Sequence, residues 1–381
     1  MPNHSTPLQS DFSADTRSPH RPNAHLQAAL NNLVHGDFQQ RWEGVKQFSQ
    51  VGEGAIAPLL ELLQDEEMDW EVRWFATRAL GHFQQPYVLE ALLDLLTTTA
   101  DEELQAAAAA ALGQFGAASI TALAQLMEQP ERKLLAVQTL ASIRHPETLP
   151  LLLASVSDAN AAVRAEAIAA LGNLQSQVQA DAVIDALLQA LRDPATTVRQ
   201  EAVTALGRWA EQQQVPELVH PLVPCLWDVS LSVCQAAARA LGRLGTEAAI
   251  AAMTQVLQAP HTPDLLQIAL VQGLGWHPQP ATLVALVAAW ESAAPLVRLE
   301  IIDVLGRIEA PALQQAAGTI LCDWLRSLLE DAQAAELKQA LALALGQLQV
   351  EAGRSLLLQL CDDADERVQI YATAALRQFP S

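Results

Sequence analysis

Two tryptophans stand one repeat apart near the start of the chain, each with a cation one helical turn on. Trp42 is followed by Lys46, and Trp74 by Arg78. A cation near an indole face is attracted by the ring quadrupole, and exposed Trp is costly to leave in water. The chemistry on offer is therefore recognition: a hot spot for a protein partner. A second set, Arg208, Arg243, Trp276 and His277, recurs at matching places further along and forms a possible second patch. Trp70 sits in the acidic run Asp65–Glu71, which reads as a solvated loop.

Reactive chemistry finds less support. The four cysteines, Cys225, Cys234, Cys322 and Cys361, have no pair at metal or redox spacing. They read as small apolar residues in a reducing compartment. No phosphate-binding glycine loop, nucleophile elbow or His-Glu-x-x-His metal motif occurs. No catalytic or metal-ligating residues are assigned, and no cofactor is expected.

The elements that must carry these residues follow from a recurring phrase: Val-Arg, two residues, Ala, two residues, Ala-Leu-Gly. It is cleanest at Val163–Gly172 and Val198–Gly207, and returns at Val72–Gly81 and Val297–Gly306. Weaker copies end at Gly113, Ala141, Gly242, Gly275, Gly346 and Arg377, and a degenerate first copy runs from Gln40 to Ser49. Counting the Val as position 0, positions 0, 4, 7 and 8 fall on one helical stripe. The terminal Gly is expected to end the helix in a left-handed conformation. Asp158, Asp193, Asp228 and Asp363 each stand five residues ahead of position 0 and supply start signals. A second amphipathic run precedes each phrase, so each unit is helix, turn, helix. One such pair cannot bury its apolar face alone, whereas stacked pairs can.

The fold expected is all-α: a superhelical solenoid of about eleven helix pairs over residues 25–381, behind a disordered tail at 1–24. Positions 2 and 6 point away from the stripe, which places Trp42, Lys46, Trp74 and Arg78 on the outer side of the second helices. Trp209 falls back toward the core. The Arg at position 1 (Arg41, Arg73, Arg164, Arg199, Arg298) reads as a ladder to the Asp of the turns. Cys234 takes that slot in the seventh unit. Residues 308–337 form a longer unit, either an insertion on a functional face or one lengthened helix.

The phrase resembles HEAT repeats. The short period and the wording at Asp158–Gly172 and from Asp193 onward are similar to the HEAT-like repeats of phycobilisome lyases. That resemblance implies a bilin lyase-like factor of the E/F type, delivering an open-chain tetrapyrrole to phycobiliprotein cysteines. It implies bilin as a ligand and a phycobiliprotein or assembly factor as partner, and leaves room for a covalent relay through Cys234. Iron-binding hydroxylases built on similar repeats use His-Glu pairs, and none of the nine histidines here is followed by Glu.

Composition bounds the partner. The chain has 381 residues, 43 acidic against 22 basic side chains, and a formal net charge of −21. Phosphate contacts need a Lys/Arg excess, so nucleic acid is excluded as the main partner. No apolar run is long enough to span a membrane. The reading is a non-catalytic interaction scaffold or assembly chaperone, cytoplasmic, monomeric or in a heteromer, binding a partner on its concave face; bilin delivery is the alternative.

Overall fold

The structure is a computed structural model, and it describes residues 21–379 apart from 144, 175–179 and 214. Residues 1–20 of the expected tail lie outside the described residues. The first helix, Arg21–His35, starts four residues ahead of the expected boundary at 25.

All the described secondary structure is helical, and the helices pair off into eleven units. They fall into two compact bodies, Met1–Thr148 and Leu149–Ser381, with four pairs in the first and seven in the second. In the first body the second helices, Phe38–Val51, Trp70–Leu80, Glu102–Leu112 and Lys133–Ser142, pack each on the next. In the second body the same holds from Ala161–Asn173 through Glu366–Leu376. The core is the expected stripe: Val163, Ala167, Ala170 and Leu171 are buried, as are Val198, Ala202, Ala205 and Leu206. Trp209 joins them. None of the described helices is long and apolar enough to cross a membrane.

None of the phrase's terminal glycines takes the expected left-handed conformation: Gly81 and Gly113 end their helices in right-handed backbone, and three others do not end the helix at all. Gly172, Gly207 and Gly242 lie within Ala161–Asn173, Thr196–Gln213 and Leu231–Leu244, and none has positive φ. Each is instead the contact point with the next unit. A Cβ on Gly207 would sit 2.6 Å from Cβ of Ala240, and one on Gly172 would sit 2.4 Å from Cβ of Ala205. Ala205 and Ala240 are position 7 of the following phrase. Position 9 of one unit thus packs against position 7 of the next, at backbone distance.

At the other edge lies the ladder, and it is only partly the one expected. The position-1 side chain first caps its own turn. Arg164 donates to the Asp158 carbonyl at 2.7 Å, Arg199 to Asp193 at 2.9 Å, and Gln369 to Asp363 at 2.7 Å. Where it is Arg and the next copy carries Asp five residues ahead of its position 0, it also bridges units. Arg164 holds Asp193 through two 2.8 Å hydrogen bonds, and Arg199 holds Asp228 in the same way. Lys338, which takes position 1 in the copy ending at Gly346, is buried and reaches Asp363 at 2.9 Å. Arg73 stops at the Leu63 carbonyl, and Arg298 at those of Trp290 and Glu291. Arg41 pairs with Asp69 and Glu71, so part of the acidic run is a latch as well as a loop.

The bridges set an acid limit. The guanidinium hydrogen bonds hold Asp193 and Asp228 below the usual carboxylate range, against the burial that pushes them up. A carboxylate depressed on folding stabilises fully above its unfolded value, about pH 4, and loses that contribution as pH falls through its folded value. Urea midpoints should therefore hold between about pH 7 and 5 and fall below about pH 4. The slope should flatten in Asp193→Asn/Asp228→Asn; an equally steep fall in that variant would assign the acid limit to other groups.

The long tenth unit is a lengthened helix, Pro311–Leu328. Its extra length carries Trp324 against Trp290 of the preceding unit, with rings stacked 3.9 Å apart. Arg298 lies 5.1 Å over the Trp290 ring. Here stacking replaces the missing ion pair as the tie between units.

Candidate functional site

The site in the first body grows from two helix starts. Asp37 caps Phe38–Val51: its carboxylate accepts from the Gln40 N–H at 2.8 Å, and the Gln40 side chain answers at the Asp37 N–H. Phe38 thereby becomes the first residue of the helix, with its ring 64% exposed. Asp69 caps Trp70–Leu80 through the Glu71 N–H. With the two helices side by side, Trp42 and Trp74 meet edge to face, ring centres 6.0 Å apart. Phe75 lies beneath both, at 5.4 Å from Trp42 and 4.9 Å from Trp74. Phe38 closes the group against Trp42 and Phe75.

Arg78 is the cation of this cluster. Its guanidinium lies 5.2 Å from the Trp42 ring and 5.0 Å from the Trp74 ring, bridging the two repeats. Lys46 does not join it; exposed, it pairs with Glu43 at 2.8 Å on its own helix. Phe38 and Phe75 were missed by the positional argument. Position 3 leans toward the core, so Phe75 reads as packing, which it is. Phe38 precedes the phrase, and the Asp37-x-x-Gln40 capping pattern is the signal that could have placed it on the same helix. Trp42 and Trp74 are half-buried by this mutual packing. Trp70, on the same helix as Trp74, is 48% exposed.

The second set gathers in the other body. Arg243 lies 5.9 Å from the Trp276 ring and 3.6 Å from the Glu211 carboxylate. Arg208 donates to the Asn173 side chain. His277 packs against Gly245 and bonds the Arg243 carbonyl at 3.0 Å, so it ties two units rather than offering a free imidazole. Arg208 lies inside Thr196–Gln213, five residues ahead of the end of that helix; of the two, Arg243 sits in a final turn, where it complements the helix end. A groove of about 230 Å³ opens beside Trp276, lined also by Gln272, Glu300, Val304 and Arg307.

Cys234 is buried, and its thiol donates to the Asp228 carbonyl at 3.2 Å. It performs the capping half of the Arg role without the bridge. Burial, followed by the nearby Asp228, pushes the thiol up from its ordinary value, the opposite of what a nucleophile needs. Among the described residues no group of three or more His, Cys, Asp or Glu side chains is placed to hold a metal ion.

The family model for HEAT repeats matches residues 56–135, 120–187 and 184–270, more than half of the chain. The chain belongs to the HEAT-repeat family. Among solved structures it is similar to Kap121p, at 14% identity and TM-score 0.53, over 97% of this chain and 46% of that one. It is likewise similar to Kap121p bound to RanGTP, at 16% identity and TM-score 0.51, over 94% and 48%. The Escherichia coli protein YibA aligns over 79% of this chain and 95% of its own, at 16% identity and TM-score 0.48. At these identities the likeness is one of fold, and the chain spans less than half of Kap121p. A search of curated proteins gives no match.

Proposed function

We propose that this HEAT-repeat protein is a non-catalytic scaffold or assembly chaperone, binding a protein partner on the concave face expected of its second helices. The observation that carries this reading is the cluster of Phe38, Trp42 and Trp74 bridged by Arg78. It is a large aromatic surface, only partly covered, with an arginine held over two rings, the composition of an interface hot spot. The fold supports it as well: Kap121p, built from the same kind of array, is seen bound to RanGTP. Four cysteines without a disulfide fit a cytoplasmic setting.

Trp42→Ala/Trp74→Ala should lower partner affinity at least tenfold, about 1.4 kcal/mol or more. Helical circular dichroism should stay unchanged. Phe38→Ser, which removes an exposed ring, should weaken binding without touching the core. The partners come from affinity capture of the tagged full chain, repeated with each variant. A stoichiometric partner held equally by all three proteins would remove the cluster from the interface. Loss of helicity in the double variant would make both tryptophans core residues.

The bilin-delivery alternative rests on the repeat wording alone. It requires that the chain bind an open-chain tetrapyrrole and raise the rate of its attachment to a phycobiliprotein cysteine. A visible-absorbance titration with bilin decides it, and a flat titration ends that reading.

A further inference from the structure

On the second body, three arginines stand near one another on adjacent second helices. Arg239 and Arg243 are one turn apart on Leu231–Leu244, and Arg243 reaches back to the preceding unit, its Nη2 3.4 Å from where a Cβ on Gly207 would sit, beside Arg208, whose own guanidinium turns to Asn173. In a chain with nearly twice as many acids as bases, such a group invites neutralisation from within. It is scarcely met. Arg239 is exposed and makes no ion pair among the described residues, and Arg208 bonds only the neutral Asn173 side chain. Glu211 lies 3.6 Å from Arg243, yet the Arg243 Nε is buried without a hydrogen-bond acceptor. Burial first, then the like charges of Arg208 and Arg239, lower the Arg243 guanidinium from its ordinary value, with Glu211 opposing. Beside Arg243 stands the Trp276 ring, 45% exposed, and next to it the groove, whose Arg307 is paired with Glu300 and Asp303.

We propose that Arg208, Arg239 and Arg243, with Trp276, form a second interaction surface that takes an extended, carboxylate-rich segment of a partner protein. Guanidinium forks match carboxylates in pairs, and segments of this kind carry several at short spacing. The indole supplies apolar contact for the stems of Glu side chains. Long polyanions are disfavoured because the net charge of −21 repels them over their whole length. A short acidic segment meets mainly the local field, since charges beyond about 8 Å are screened at physiological salt. This surface is independent of the aromatic cluster and rests on the scaffold reading only in that its ligand is a protein.

The test uses the full chain and a fluorescein-labelled octaglutamate peptide, read by anisotropy in about 0.15 M salt. Octaglutamine is the control. Octaglutamate should bind and octaglutamine should not. Arg208→Gln/Arg239→Gln, both outside the core, should weaken binding about tenfold. Trp276→Ala should weaken it less, and Trp42→Ala/Trp74→Ala should leave it unchanged. No octaglutamate binding above the control, or binding that survives the double arginine variant, overturns the inference and leaves the aromatic cluster standing. Tighter binding of a tetraphosphoserine peptide of the same length would also overturn it, in favour of a phosphate site. If octaglutamate binding holds while the tryptophan pair proves irrelevant to partner capture, this surface stands and the first reading falls.

Discussion

Arg199→Ala is expected to destabilise the array by about 3 kcal/mol, the cost of breaking a largely buried charge pair from one side. The guanidinium makes two 2.8 Å bonds to Asp228 and two to the carbonyls of Asp193 and Pro194. Its removal strips all four, and Asp228 keeps only its bond from the Ser230 N–H. Two turns and two units lose their tie together. Repeat arrays need not unfold as one, so the urea midpoint should be joined by hydrogen exchange of Thr196–Gln213 and Leu231–Leu244. Exchange should quicken there first. Arg199→Ala/Asp228→Ala should cost clearly less than the two single changes added, because the second change removes a charge already stranded. Strict additivity, or a loss under about 0.5 kcal/mol, would place the pair among surface bridges of little worth.

The opposite edge of the same interface gives the second large effect. Gly207→Ala adds one methyl where Cβ of Ala240 is 2.6 Å away and its Cα is 3.2 Å away. Neither atom is the end of a flexible side chain, so the helices must part. The cost of such overpacking, about 1–3 kcal/mol, outweighs the gain of somewhat under 1 kcal/mol in helix propensity. A net loss of about 1 kcal/mol is expected in urea unfolding. Ala240→Gly should rescue it, since the nearest clash disappears with that methyl. Had the glycine served as a helix end, as the phrase suggests, Ala240→Gly would do nothing for it. A double variant no better than Gly207→Ala alone would refute the contact as the reason for the glycine.

The fold was legible because repetition amplifies weak signals. A stripe at positions 0, 4, 7 and 8 says little once and a great deal when it recurs through the chain. What could not be read were features that depend on the neighbouring unit. Gly172 and Gly207 look like helix ends in isolation, and only the stacked helix shows what their bareness admits. Arg73 and Arg298 carry the ladder residue yet make no ion pair to the next unit among the described residues, while Lys338 bridges with a Lys in the Arg slot. At the aromatic site, periodicity placed Trp42, Trp74 and Arg78 together correctly. It could not choose between Lys46 and Arg78 as the cation, because both lie one turn from an indole and only Arg78 faces the seam between helices. Arg239 escaped notice for a related reason: at position 6 it reads as one more solvated charge until Arg243, one turn on, and Arg208, on the preceding unit's helix, are set beside it.

The ladder has a gap, and its consequence is mechanical. Arg164 and Arg199 clamp two successive interfaces at the turn edge, whereas Cys234 and Gln267 offer the next two only caps to their own turns. Between the seventh and eighth units that edge is left with a neutral bond from Gln235 to the Leu265 carbonyl at 3.2 Å. The far edge is pinned: Gly242 and Gly273 meet backbone to backbone, and Gln279 holds the Gly245 carbonyl at 3.1 Å. An interface pinned along one margin and unlatched along the other bends like a page at its binding. Within this body, compliance should therefore concentrate between the seventh and eighth units, where a small rotation would shift Trp276 against Arg239 and Arg243 and so reset the spacing that a bound segment has to match.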